Sequence, residues 1–225
     1  MTIDRFLAAA VKAAMPPDYV QRIRAIDYRS ASAKINLALS ARPQFVGARD
    51  DQYRSGFCNG TIHMCPDMRF IEAAYHDAMM GELSAEPILE ATIPSAVDNT
   101  LAPAGQHVMS LFVQYVPYKK QASGDADWHE LLYRRSMAVL SRYAPGIEDS
   151  IIDKQVLLPT DLEQIYGLTG GNIFQGAMPL HQLGPFRTPY QTPIQGLYLC
   201  GAATHPGGGV MGACGKNAAE VMLRG

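Results

Sequence analysis

The sequence predicts a fold of the α+β and α/β classes. A mixed-sheet domain with helices is expected over residues 1–190. The last strand and helix of an incomplete Rossmann-like domain are expected over residues 191–225. Three observations predict this. Residues 33–41 alternate between apolar and polar side chains, as in a half-buried strand. Residues 107–116 are apolar on both faces. Residues 197–200 form a short, wholly apolar run before a glycine-rich turn and a helix, which is typical of a strand in the middle of a parallel sheet.

Local signals predict the other elements of the first half of the chain. Apolar residues at helical spacing predict helices over 3–14 and 17–26, separated by a pair of prolines. Residues 42–66 are polar and aperiodic, which predicts a long excursion or a lid. A helix is predicted over 67–80, closed by a glycine, and a strand over 88–93 ends at a proline.

The second half begins with a capped helix. Asp127 is a suitable N-cap for a helix to Tyr143, with Glu130 in the capping-box position. A strand is predicted over 151–158 and a short helix over 160–167. Glycine, proline and aromatic residues then predict little regular structure as far as Gly196. A final helix is predicted over 211–223.

Composition narrows the classes of function. The chain is 48% hydrophobic and 18% charged, which is enough to build a core, and its net charge of −2 gives no reason to expect a nucleic acid or an anionic membrane as partner. No apolar run approaches the roughly 20 residues of a membrane span. The four cysteines have no C-x-x-C spacing, and Cys58, His63 and Cys65 lack a fourth metal ligand. We expect reduced thiols in a cytoplasmic compartment, or the mitochondrial matrix in a eukaryote, with Cys200 and Cys214 as small core residues.

The glycine-rich turn near the C-terminus is the main candidate site. Gly207, Gly209 and Gly212 satisfy the G-x-G-x-x-G pattern of a dinucleotide-binding loop. That loop also needs a following helix, a second parallel strand and an acidic residue about 20 positions further on. Only thirteen residues follow Gly212 in this chain of 225. We therefore expect the turn to contact the far end of such a ligand, with the pyrophosphate loop supplied from elsewhere.

Several segments carry a family resemblance. The sequence from Gly196 to Ala213 resembles the C-terminal flavin-binding signature of the phytoene desaturase-like FAD oxidoreductases, of which the flavin amine oxidase superfamily carries a looser version. Upstream segments are similar to the same family: Lys34 to Leu39, Leu158 to Glu163, Gly170 to Met178, and Arg187-Thr188-Pro189. Ala202 stands where many relatives have an acidic residue.

The resemblance implies a set of site residues and a cofactor. The cofactor would be FAD, bound mostly through backbone groups because glycines allow close approach and the following helix directs its N-terminus toward the ring. The implied cofactor-binding residues are Gly201, Ala202, His205, Gly207, Gly208, Gly209, Val210 and Met211. The implied substrate-lining residues are Asn172, Phe174, Met178 and His181. No side chain is expected to act as an essential acid or base.

Three functional interpretations stay open at this point. The first is an FAD-dependent oxidoreductase that removes hydride from, or isomerises, an apolar or unsaturated substrate, with this chain as a C-terminal fragment or split subunit. The second is a non-catalytic interaction partner derived from such an enzyme. The third is a flavin amine oxidase, although no aromatic pair that could cage an amine is evident. An incomplete sheet would expose an edge, so we expect self-association or a chain supplying the N-terminal FAD-binding half.

Overall fold

A computed structural model of the protein describes residues 3–6, 15–29, 32–118 and 127–224. The chain divides into two compact units, one formed by Met1–Ser30 with Thr160–Gly225 and the other by Ala31–Pro159. The sequence predicted that residues 1–190 bind the substrate and that residues 191–225 contact the cofactor. This division concerns function and not compactness, so it stays a prediction. The predicted first helix is present at Ile3–Phe6 (α1), and residues 7–14 lie outside the described ones.

The unit 31–159 is built on a five-stranded sheet. Its strands are β1 (Ser32–Leu39), β2 (Ile62–Met64), β3 (Ile88–Thr92), β4 (His107–Gln114) and β5 (Ile151–Leu157). The strand order is β2-β3-β4-β1-β5, and every pairing is antiparallel. The expected mixed sheet is therefore corrected to an antiparallel one, and the α+β class is confirmed.

One face of this sheet carries the core of the unit. Ile35, Leu37 and Leu39 of β1 are buried, as the alternation predicted. The helix α5 (Trp128–Tyr143) contributes Leu132 and Leu140 to the same cluster. Asp127 caps this helix by accepting a hydrogen bond from the His129 amide. The apolar residues on both faces of β4 do not make it a strand buried on both sides, because only alternate residues of β4 are fully buried, as suits a sheet covered on one side.

The segment 42–66 is part of the core rather than a lid. It contains the helix α3 (Asp50–Arg54), a single turn of 3-10 helix and the edge strand β2. Phe45 and Tyr53 are buried, and the Phe57 ring lies 5.8 Å and 5.4 Å from theirs. These three aromatic residues lie within one irregular segment and have no regular spacing, so no short-range periodicity reveals them. The helix α4 (Met68–Met79) then begins within one residue of its predicted start, where Asp67 caps it by accepting from the Phe70 amide at 3.0 Å.

The other unit is mainly helical and irregular. It contains α1, α2 (Pro17–Arg24), the helix α6 (Pro159–Tyr166) and the C-terminal helix α7 (Ala213–Arg224). A small cluster formed by Ile3, Met15, Tyr19, Val20 and Ile23 is its core. The segment between α6 and α7 has only single turns of 3-10 helix and two isolated bridges, as its composition predicted.

The predicted strand at 197–200 does not form. Residue Tyr198 makes one isolated antiparallel bridge with Gln191, and the Leu199 amide bonds to the Tyr190 carbonyl at 2.7 Å. A strand needs a neighbour along its length to pair its peptide groups, and the described part of the chain offers none at this position. The expected Rossmann-like element is therefore not confirmed. Cys200, expected in the core, is exposed, whereas Cys214 is buried.

Candidate functional site

The glycine-rich turn leads into α7, which begins at Ala213 rather than at Met211 as predicted. Gly207, Gly209 and Gly212 have φ angles of 112°, 143° and 69°, which glycine adopts without strain. The G-x-G-x-x-G spacing is therefore required by the local backbone. It does not by itself show that a ligand is bound.

Gly208 is constrained by a contact instead of by its backbone angles. A Cβ placed on Gly208 would lie 2.1 Å from Cδ1 of Phe174, so the Phe174 ring lies against the peptide backbone. A Cβ on Gly207 would lie 3.1 Å from Cε of Met178. Phe174 and Met178, which are expected to line a substrate site, thus lie beside Gly208 and Gly207, which are expected to bind the cofactor. The Phe174 ring also occupies one side of Gly208, which leaves a ligand only the other side of the turn.

The amide groups of the turn have no acceptors within the described residues. From Gly207 to Gly215 no backbone N–H donates to a protein acceptor, and only Lys216, one turn into the helix, bonds back to the Gly212 carbonyl. The Cys214 thiol lies below the turn and donates to the Gly207 carbonyl at 3.2 Å. The open amides and the helix N-terminus together favour a ligand edge that carries partial negative charge.

A shallow cavity of about 160 Å³ lies at this turn. Its lining residues are Cys200, Gly201, Ala202, Gly207, Gly208, Gly209, Gly212, Ala213, Cys214 and Gly215. The volume is below the roughly 300–1,000 Å³ typical of ligand pockets. Val210 and Met211, also expected at the cofactor, are strongly exposed next to it. The residues therefore fit one edge of a flat ring and do not enclose a whole cofactor.

Asn172 and His181 differ from the other predicted substrate-lining residues. Asn172 is buried, and its amide donates to the Arg29 carbonyl at 2.9 Å and accepts from the amides of Phe174 and Gly176. It holds the irregular segment in shape and has little capacity left for a ligand. His181 is exposed and lies in a 3-10 turn apart from the glycine cavity. The substrate-lining role of both residues stays a prediction.

Arg187 is a buried cation to which the sequence reasoning gave no role. It is 7% exposed, and its Nη2 donates to the carbonyls of Phe174 at 2.8 Å and Ala202 at 2.6 Å. Its Nε is buried without a partner among the described residues, and no carboxylate there forms an ion pair with it. Burial lowers the pKa of its guanidinium. The signal available in the sequence was a lone arginine among apolar residues and prolines.

His205 lies just before the glycine-rich turn and is exposed. Its carbonyl accepts a hydrogen bond from the Tyr190 hydroxyl, which in turn accepts from Asn217 of α7 at 2.9 Å. His205 lines a second, larger cavity rather than the glycine cavity. Its predicted role at the cofactor stays untested.

Comparison with known proteins gives several matches, although no family model matches the chain. The chain is 42% identical over 232 residues to pyridine nucleotide-disulfide oxidoreductase domain-containing protein 2 of Rattus norvegicus, which covers 97% of this chain and 39% of that protein. The Mus musculus protein of the same name matches with the same identity and coverage. The 4,4'-diapophytoene desaturase (4,4'-diaponeurosporene-forming) of Staphylococcus aureus (strain Newman) is 30% identical over 141 residues, covering 58% of this chain and 27% of the desaturase.

The two mammalian matches extend over nearly the whole chain and the desaturase match over 58% of it, and each covers well under half of the relative. The chain spans about two-fifths of the length of the two mammalian proteins. Each relative bears the name of an oxidoreductase or a desaturase. The chain is thus related in sequence to pyridine nucleotide-disulfide oxidoreductase domain-containing protein 2, and the phytoene desaturase-like resemblance of its motifs is confirmed.

Proposed function

We propose that this chain forms part of the flavin site of an FAD-dependent, phytoene desaturase-like oxidoreductase. The observation that carries the proposal is the run of open amide groups from Gly207 to Gly215, at the N-terminus of α7, in a chain 42% identical to a named oxidoreductase. When bound, FAD would supply the hydride-accepting ring. The chain's own part is to hold one edge of that ring.

The turn suits the ring end of the cofactor rather than its pyrophosphate end. The segment that contains the turn resembles the C-terminal flavin-binding signature, and a helix N-terminus favours negative charge by roughly 0.3–1 kcal/mol, which is enough to tune a ring edge. No acidic side chain takes part, since Ala202 occupies the position where many relatives carry one. The contacts to the ring would therefore come from the backbone.

Phe174 and Met178 are the side chains of this site that suit an apolar substrate. They are 38% and 40% exposed and lie against Gly208 and Gly207. A substrate in contact with them would lie beside the ring edge held by the turn. We propose an apolar or unsaturated substrate that loses hydride or is isomerised there.

The remaining walls of the flavin pocket would come from residues outside this chain. Val210 is fully exposed and Met211 is 62% exposed, so these two apolar side chains at the turn lack cover in their own unit. We propose that a partner segment carrying an ADP-binding glycine loop, or a second copy of the chain, covers this surface.

The visible spectrum of the purified protein, with and without added FAD, tests the proposal. We expect flavin absorption bands that stay with the protein on gel filtration, or that appear when a chain carrying an ADP-binding half is added. A colourless protein that folds cooperatively and stays colourless in both conditions would contradict it.

A variant that blocks the glycine cavity tests whether flavin binds at the turn. Gly215 lines the glycine cavity in α7, and a Cβ there would meet nothing within 4 Å. Gly215→Leu therefore fills the cavity without a clash and raises helix propensity. We expect it to abolish flavin binding while Gly60→Leu, at a glycine equally free of contacts in the other unit, leaves binding unchanged.

The non-catalytic interaction partner is the second candidate, and the same exposed apolar residues favour it. A protein that binds no flavin yet forms a defined dimer or complex through Val210 and Leu223 would support this second function. Light scattering of the wild-type chain and of Val210→Ser, read together with the visible spectrum, separates the two candidates: association that depends on Val210 with no flavin binding supports the interaction function, whereas flavin binding contradicts it.

A further inference from the structure

A buried arginine lies beside the backbone of the glycine-rich turn. Arg187 is 7% exposed, and its Nη2 donates to the carbonyls of Phe174 at 2.8 Å and Ala202 at 2.6 Å. A Cβ placed on Gly207 would lie 3.7 Å from the Arg187 Nε. Ala202 and Gly207 both line the glycine cavity, whereas Arg187 does not. The guanidinium therefore lies next to two residues of the cavity wall without lining that cavity itself.

The charge of Arg187 is not neutralised within the described part of the chain. No aspartate or glutamate there forms an ion pair with it. Burial lowers the pKa of Arg187, and the two groups that oppose this shift, Cys214 and Tyr28, are a thiol and a phenol rather than carboxylates. An arginine side chain stays protonated at neutral pH. The unit thus keeps an unpaired positive charge next to its glycine-rich turn.

Joining two segments of the chain does not by itself require a charge. Both carbonyls accept from the Arg187 Nη2, and the Nε is buried without a hydrogen-bond partner in the described chain. A neutral side-chain amide also has two N–H groups and could donate to two carbonyls. A buried cation and a buried unpaired donor each destabilise a fold. This cost points to a role for the charge besides holding the segments in shape.

The turn itself also favours negative charge. Its amides from Gly207 to Gly215 have no acceptors among the described residues, and the twelve-residue helix α7 begins at Ala213. None of the residues that line the glycine cavity is acidic. A buried charge is screened much less than a solvated one, so the field of Arg187 adds to that of the amides and of the helix N-terminus. The cavity therefore has a positive potential that its own walls do not balance.

We propose that Arg187 makes the glycine-rich turn bind reduced flavin more tightly than oxidised flavin. This inference rests on the proposed function, since it needs a flavin ring at the turn. Hydride removal breaks a C–H bond of the substrate and forms an N–H bond on the ring, which gains two electrons, one proton and hence one negative charge. The substrate releases a proton to water as its double bond forms. The field of Arg187 stabilises the added charge on the ring, so the reduction potential of the bound flavin rises.

Potentiometric titration of lumiflavin, with and without the full chain, measures this preference. Lumiflavin is the probe because it carries the ring but no phosphate, so no other negative charge contributes. Fluorescence titration gives the affinity for the oxidised form, and reduction by dithionite under nitrogen, beside a dye of known potential, gives the potential of the bound flavin. We expect the reduced form to bind about tenfold more tightly than the oxidised form, which corresponds to a rise in potential of about 30 mV.

Variants at position 187 separate the charge from the shape of the side chain. Arg187→Gln keeps donors for the two carbonyls, and Arg187→Met keeps an apolar stem, but both remove the charge and should abolish most of the preference for reduced lumiflavin. Arg187→Lys keeps the charge and should retain most of that preference. Arg22→Gln is the matched control, because it removes a charge from a side chain of the same unit that is 67% exposed, and it should change nothing. Circular dichroism checks the folding of each variant.

Failure of this inference differs from failure of the proposed function. If the chain binds lumiflavin in neither form, both are contradicted. If it binds the two forms equally well, or if the preference for the reduced form is unchanged in a folded Arg187→Gln or Arg187→Met variant, the role of Arg187 is overturned while the flavin site stands. A preference that falls in the neutral variants and returns in Arg187→Lys supports the inference.

Discussion

Replacing Gly208 with alanine tests the contact between the glycine turn and the Phe174 ring. The added Cβ would lie 2.1 Å from Cδ1 and 2.8 Å from Cε1 of that ring, whereas ordinary contacts begin near 3.4 Å. The ring must therefore move by roughly 1 Å or more. Gly208 is not among the residues with positive φ, so the effect is steric rather than conformational.

The expected loss of stability follows from this overlap. Overpacking a close contact costs about 1–3 kcal/mol. Because the Phe174 ring is 38% exposed, it can swing toward solvent, and we expect the lower part of that range, about 1–2 kcal/mol. For a chain of this length, that corresponds to a drop of roughly 2–8 °C in the unfolding midpoint.

Urea unfolding followed by circular dichroism measures the effect, and a second substitution tests its cause. Phe174→Ala removes the ring, so Gly208→Ala in that background should cost much less than it does alone. Gly60→Ala is the control, because a Cβ there meets nothing within 4 Å, and it should change stability by no more than about 0.5 kcal/mol. If Gly208→Ala has the same effect with and without the Phe174 ring, the described contact is wrong.

The remaining predictions concern a buried amide, two thiols and one histidine. Asn172→Ala removes three hydrogen bonds to the backbone and should cost about 1–3 kcal/mol in urea unfolding; an unchanged midpoint would show that the amide does not hold the segment. Cys200 is exposed and should react with a thiol reagent in the native state, whereas buried Cys214 should react only on unfolding; equal rates would contradict the burial described. Burial, and secondarily Arg42, lower the pKa of His107 from its ordinary 6.5, so its neutral form is favoured in the fold. The free energy of unfolding should thus be highest above pH 6.5 and fall as the pH drops below it, and His107→Asn should flatten that part of the profile.

The elements that the sequence predicted well have their causes within a few residues. The alternation of β1 follows from one buried face, and the start of α4 follows from the hydrogen bond between Asp67 and the Phe70 amide. The α5 helix begins where Asp127 can cap it. Such signals depend on spacing and on local donors, and both can be read from a single chain.

The elements that the sequence missed depend on distant contacts. Residues 42–66 look polar, yet Phe45 and Tyr53 join the core through residues far along the chain. The run 197–200 is apolar enough for a central strand but has no partner strand among the described residues, and its Leu199 packs against the small cluster that contains residues of α2. Pairing and burial are tertiary properties, and composition alone does not determine them.

The candidate site likewise has one feature with a local cause and one that depends on distant contacts. The positive φ angles of Gly207, Gly209 and Gly212 agree with the glycine pattern, so the turn could be located from the sequence. The unpaired Nε of Arg187 could not, because an unmatched donor is visible only once every neighbouring acceptor has been placed.

The central claim is that the glycine turn holds the ring end of a flavin, and a comparison of the two halves of FAD tests it most directly. Fluorescence titration of lumiflavin with the purified chain should show saturable binding that Gly215→Leu abolishes, while ADP should neither bind nor compete. If ADP binds and lumiflavin does not, the turn holds the nucleotide end; if neither lumiflavin nor FAD binds even when a chain with an ADP-binding half is present, the turn holds no flavin.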